Sequence, residues 1–143
     1  MAGFKLVGGF PESFVIEAPV TPGVAIQEGD LLAISGNVLA RATSSSTIHT
    51  VFAVAAESIS ALAAVIKCRP ICQGQLYEGA MTNNTHASNQ TFESYALTDH
   101  ANVANDSTDV GGPTGVFLLI APIGAVADKR ALGEFTRLQS TST

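Results

Sequence analysis

The chain has 143 residues, 46% of them apolar and only 13% charged, about half the ~25% usual for a soluble domain. That length suits one domain able to bury a core without disulfides or a structural metal, and so little charge implies a neutral surface that is readily buried against a partner. A net charge of −5, with seven Lys and Arg scattered singly, excludes the basic stripe of a nucleic-acid binder.

The first residues, "MAGFKLVGGFPESF", place Phe4, Phe10 and Phe14 around the flexible pair Gly8-Gly9. Glycines beside aromatics suit an arm, residues 1–13, that adapts its path and anchors by burying rings, each worth roughly 1.5–3 kcal/mol. "FVIEA" (14–18) reads as a strand ending at Pro19. It is able to add to an exposed sheet edge through its main chain, and its rival role is the first core strand. The segment has no uninterrupted apolar h-region, so no signal peptide is expected. No apolar run approaches the ~20 residues needed to cross a bilayer. Synthesis in a cytoplasm-like compartment follows as the expectation.

Gly and Pro recur at short intervals, which favours strands over long helices. "LLAISGNVLARA" (31–42) reads as a hairpin, because Gly36 and Asn37 tolerate the positive φ of a tight turn. "TIHTVFAVA" (47–55) reads as a strand with Ile48, Thr50 and Phe52 on one face. In "AVIKCRPI" (64–71), Lys67 and Arg69 alternate with Ile66 and Cys68. "FESYAL" (92–97), "GVFLLIA" (115–121) and "EFTRL" (134–138) complete the set. The alanine-rich "AAESISALAAV" (55–65) is compatible with a short helix or a turn. "VADKRAL" (126–132) has the composition of one or two helical turns. The fold expected is all-β, a small barrel or sandwich over residues 14–138, with a polar excursion at 81–91 and a flexible tail at 139–143.

Candidate chemistry concentrates in "TDHANVANDSTD", which holds Asp99, His100, Asp106 and Asp109. A calcium loop needs regularly spaced oxygen ligands with a glycine at the bend, and these aspartates do not keep that spacing. Zinc needs several His or Cys, and only His100 is here. The same residues build turns through local side-chain bonds, so the stretch is read as a polar loop. In a strand, Cys68 and Cys72 would lie about 13 Å apart, beyond disulfide reach, and both are read as small core hydrophobes. His49 and His86 stand alone. No nucleophile elbow or phosphate-cradling glycine loop is present. The sequons at Asn83, Asn89 and Asn105 are read as marks of exposed loops. No catalytic residue, cofactor, metal or small-molecule substrate is assigned, and an enzyme is not expected.

Two resemblances remain. "IQEGDLLAIS" and "ADKRA" are locally similar to the strand entry and the Asp-Lys pair of biotinyl/lipoyl carrier domains. Asp30 and Lys129, however, are separated by roughly the length of such a domain. A wider likeness spans residues 20–135. "VAIQEGDLLAISGNVLARATSSSTIHTVFAVAAES" resembles the front half of tailed-bacteriophage capsid decoration (cement) proteins, with "VFAVA" where the family has a "V-x-G-V-A" strand and Ala53 where glycine is frequent. "CRPICQGQLYEGAMTNN" resembles the strand and loop leading to that family's second sheet. The resemblance implies a small all-β barrel or tulip domain that binds the major capsid protein on the outside of the virion, commonly as a homotrimer, with terminal arms reaching capsid subunits. Under it, Phe4, Phe10, Phe14, Val15 and Ile16 are the capsid-contacting candidates. The alternatives are a tail-tube or neck protein, or a non-enzymatic binding module with an exposed loop site at 96–112.

Overall fold

A computed structural model of the chain describes residues 3–9, 14–85, 87–108 and 112–138. Among these the structure is nearly all-β: β1 (Phe4–Gly9), β2 (Ile16–Pro19), β3 (Leu31–Ser35), β4 (Val38–Arg41), β5 (Val51–Ala55), β6 (Val65–Pro70), β7 (Gln75–Met81), β8 (Ser94–Asp99), β9 (Asn102–Thr108), β10 (Phe117–Pro122) and β11 (Arg130–Phe135), with one helical turn, α1 (Ala87–Gln90). The expected all-β barrel domain is what the chain forms.

The strands divide into two sheets. The larger runs β1-β7-β11-β10-β8-β9, and β9 returns to β7 by the parallel pairs Ala80↔Asn102 and Met81↔Val103. That contact closes five strands into a barrel, removing the free edges an open sheet would leave. β1 covers the rest of the β7 edge, antiparallel from Phe4↔Gly79 to Gly9↔Gln75. The smaller sheet runs β2-β6-β5-β3-β4 and curls until its end strands meet at a single bridge, Val20↔Leu39.

Each sheet has its own core, and β3 and β5 serve both. Leu31, Ala33, Val51 and Val54 pack with Phe4, Tyr77, Phe117 and Phe135 in the larger barrel. Leu32, Ala53 and Ala55 face the other way, onto Ile66, Cys68 and Leu39. A strand buried on both faces reads as a continuous apolar run, and "LLA" and "VFAVA" are such runs. Val51 and Val54 are three apart and would ordinarily face opposite sides. A bulge at Phe52 brings them to one side, since Ala33 pairs with Val51 while Leu32 pairs with Ala53.

Several expectations hold. The β3–β4 hairpin pairs Ser35 with Val38 around Gly36, whose φ of 66° supplies the tight turn. In β6, Ile66, Cys68 and Pro70 are buried and Lys67 is exposed. Others are corrected. Within the expected arm, 1–13, residues Phe4–Gly9 instead form β1, paired along β7, and Phe4 is only 4% exposed, whereas residues 10–13 lie outside the described residues. "NVANDST", read as part of a polar loop, is β9, and "QLYEGAM", given no element of its own from the sequence, is β7. Thr47–Thr50 form a turn rather than the start of β5, held by the Thr47 N–H donating to Thr50 Oγ1 at 3.0 Å. Residues 56–64 are turns with an isolated bridge at Ile59. The helical stretch at 126–132 shrinks to a 3-10 turn, Val126–Asp128, and the last strand starts at Arg130 and ends at Phe135. The tail at 139–143 lies outside the described residues.

Candidate functional site

The described part of the acidic stretch, from Asp99 to Asp106, serves mainly the architecture. Asp99 ends β8, where its Oδ1 accepts hydrogen bonds from the Ala101 N–H at 2.8 Å and Asn102 Nδ2 at 3.1 Å. Partial burial pushes its carboxyl up, but these hydrogen bonds, with the nearby His100, outweigh burial and hold it below the usual carboxylate range. The side chain therefore fixes the tight turn between β8 and β9. His100 Nδ1 lies 3.0 Å from Oδ1 of the buried Asp30, at ion-pair distance but not aligned for a hydrogen bond. Asp30 is itself turned inward by the Gln27 N–H, which donates to its Oδ2 at 2.9 Å. The Gly-Asp strand entry thus tethers the smaller sheet to the turn of the larger barrel. Asp106 is exposed, and Asp109 lies outside the described residues. Among the described residues no three His, Cys, Asp or Glu side chains converge to hold a metal ion.

Asn105 overturns another reading. It is 3% exposed rather than on an exposed loop. Its Nδ2 donates to Asn83 O at 3.0 Å and Asn84 O at 3.1 Å, and its Oδ1 accepts from the Asn83 N–H at 2.8 Å. One inward amide of β9 so pins the polar excursion after β7 to the barrel wall. Above it lies an open, amide-lined cleft of about 630 Å³, with Asn83, Asn89, Asp106 and Lys129 at its rim. Of the loop expected at 96–112, residues 96–108 are instead two barrel strands and their tight turn, and residues 109–111 lie outside the described residues. His86 is outside the described residues, and His49 is exposed in the turn before β5.

Both cysteines are free thiols. Cys68 is fully buried in the smaller core, where burial raises its pKa, and Cys72 is half-buried. Lys129 ends the loop that joins β10 to β11, just after the 3-10 turn, at a φ of 55°.

The hydrophobic candidates separate sharply. Phe4 is a core residue, its ring centroid 4.8 Å from Phe135 and 6.0 Å from Phe117. Phe10 lies outside the described residues. Phe14 and Val15, by contrast, are 60% and 45% exposed immediately before β2, and Ile16 is half-buried against the smaller core. β2 is an end strand, pairing with β6 from Ile16↔Cys68 to Pro19↔Val65. On its other side it meets β4 at the end of β2, where Val20 bridges Leu39 and the Thr21 N–H donates to the Leu39 carbonyl, and beside that join lies a shallow apolar groove of about 230 Å³. Ile16, Pro19, Ile34, Val38 and Phe52 line it, and Ile34 is 45% exposed. A split edge with large apolar side chains on its lip is what a partner strand or loop would cover.

Sequence reasoning missed Asn105 and the Asp30–His100 pair. The partners of each lie about 20 and 70 residues away along the chain, and no local pattern marks them. No helix among the described residues is long and apolar enough to cross a membrane. The chain matches no known protein-family model and no curated protein.

Proposed function

We propose that this protein is a non-enzymatic structural component that binds the exterior of a tailed-phage capsid and stabilises the shell, through the β2 edge. The observation that carries the reading is the exposure of Phe14 and Val15 immediately before β2, together with the exposed Ile34 lining the open β2–β4 groove. An end strand offers unpaired main-chain groups for strand addition, while the flanking rings and branched chains supply the desolvation that gives affinity. The charge-poor composition agrees with a surface evolved for burial. The partner is then the major capsid protein, the location is the virion exterior, and the protein acts as a homotrimer whose closed symmetry presents three such edges at once. Phe4 is withdrawn from the contact set, and Phe14, Val15 and Ile16 stay in it.

Cosedimentation with undecorated heads tests this. Wild-type protein is expected to pellet stoichiometrically with the heads. Phe14→Asp combined with Val15→Asp should stay in the supernatant while keeping its melting temperature. Failure of the wild type to pellet, or undiminished pelleting of the double variant, would refute the reading. Light scattering of the free protein checks the trimer.

A further inference from the structure

The two barrels meet along a groove of about 760 Å³ whose lining includes Phe4, Lys5, Glu28, Val54, Arg69 and Tyr77. Two of these side chains are unexplained by the fold. Tyr77 is completely buried, yet its hydroxyl has no hydrogen-bond partner among the described residues. A buried hydroxyl without a partner is uncommon enough to require a cause, such as a bound group. Arg69 is half-buried on β6, directly across from Val54, whose side chain belongs to the larger core; Arg69 therefore faces the seam. Three arginines among the described residues are half-buried, and two are accounted for. Arg130 lies 3.2 Å from Glu78 Oε1, and Arg137 stacks 4.6 Å over the Phe52 ring. Arg69 forms no ion pair with any described acid. A partly desolvated guanidinium with no counter-charge is a place where an anion is stabilising.

Burial pushes the Tyr77 hydroxyl up to about 12, against a pull downward from Arg69, so it stays protonated and can only be improved by an acceptor. Glu28 and Lys5 line the same groove with opposite charges, so with Arg69 the groove carries one net positive charge. Together with a net charge of −5 for the whole chain, that suits a single negative charge better than a dianion such as phosphate.

We propose that this inter-barrel groove is a carboxylate site, in which the Arg69 guanidinium grips both carboxylate oxygens and the Tyr77 hydroxyl donates a further hydrogen bond. The planar fork of arginine matches a carboxylate bidentately. The site lies apart from the β2 edge and stands whether or not that edge binds a capsid. Its carboxylate comes either from a free small acid or from an acidic side chain of a protein partner.

The test follows the Arg69 Nε–H resonance in heteronuclear NMR while titrating acetate, N-acetyl-aspartate amide or inorganic phosphate. Saturable shifts with acetate or the blocked aspartate are expected, with phosphate weaker. Equal affinity for the two carboxylates identifies a small acid as the source, and tighter binding of the aspartate identifies a protein side chain. In Tyr77→Phe, which loses only an unbonded hydroxyl and should fold normally, affinity should fall several-fold. In Arg69→Gln, followed through the backbone amides of β6, it should fall at least about tenfold. Should Arg69→Gln fail to fold, Tyr77→Phe decides alone. Absence of saturable shifts, tighter phosphate than carboxylate binding, or unchanged affinity in Tyr77→Phe would overturn the proposal.

Discussion

Replacing Phe4 by alanine distinguishes a barrel strand from a detachable arm. The Phe4 ring sits edge-on to Phe135 at 4.8 Å and near Phe117, with Gly79 directly beneath it. A Cβ on Gly79 would come within 2.9 Å of the ring, so the site beneath is backbone and has no side chain with which to fill a void. Relaxation is therefore limited, and the loss should fall in the usual range for a buried phenylalanine, about 3–5 kcal/mol. A domain of this size has a total stability of roughly 7–20 kcal/mol. With about 2–4 °C lost per kcal/mol, the melting temperature should drop by roughly 6–20 °C. Thermal unfolding by circular dichroism measures the shift, and urea unfolding should show a lower midpoint with an unchanged slope. The matched control is Phe14→Ala, which alters an exposed ring and should cost no more than about 0.5 kcal/mol. If Phe4→Ala melts within the error of the wild type, β1 does not contribute to the core and the arm reading returns.

Gly133→Ala should be destabilising by about 1–3 kcal/mol or more, read by urea midpoint. Its new Cβ would stand 2.2 Å from Phe117 Cζ and 2.6 Å from the Leu118 carbonyl, and the latter is backbone that cannot swing away. Asp99→Asn should lower stability at neutral pH by about 1–2 kcal/mol. Because the folded carboxyl titrates below its unfolded value, its contribution is full above the ordinary carboxylate range and vanishes as pH falls through the folded pKa. Wild type and variant should accordingly converge in acid, and a constant gap down to the lowest pH would contradict the assignment. Cys68 should label with a thiol reagent only on unfolding and Cys72 faster in the native state, since the former is enclosed and its thiol pKa raised; rapid native labelling of both would be inconsistent with the smaller core.

What was legible in the sequence followed from local rules. The β3–β4 hairpin announced itself through Gly36-Asn37, and β6 through its alternation of charged and apolar residues. β7 and β9 were missed because their signals are broken. β7 carries Gly79 where the Phe4 ring needs space, and β9 is a polar strand whose buried Asn105 looks in sequence like a loop residue. β1 was mistaken for an arm since its inward contact, Phe4 on Gly79, spans 75 positions along the chain. The sharing of β3 and β5 between two cores was written in their unbroken apolar runs, but only the bulge at Phe52 shows how one strand serves both sides. Of the binding-edge candidates, composition alone could not tell a core ring from an exposed one. Phe4 and Phe14 look alike in sequence and lie at opposite extremes of burial.

Hydrogen–deuterium exchange of the protein free and bound to undecorated heads tests the β2-edge account most directly. Strand addition predicts strong new protection of the amides of Phe14–Ala18, with the β7–β11 wall of the larger barrel unchanged. Binding that leaves Phe14–Ala18 exchanging as in the free protein, with protection appearing elsewhere, would contradict it.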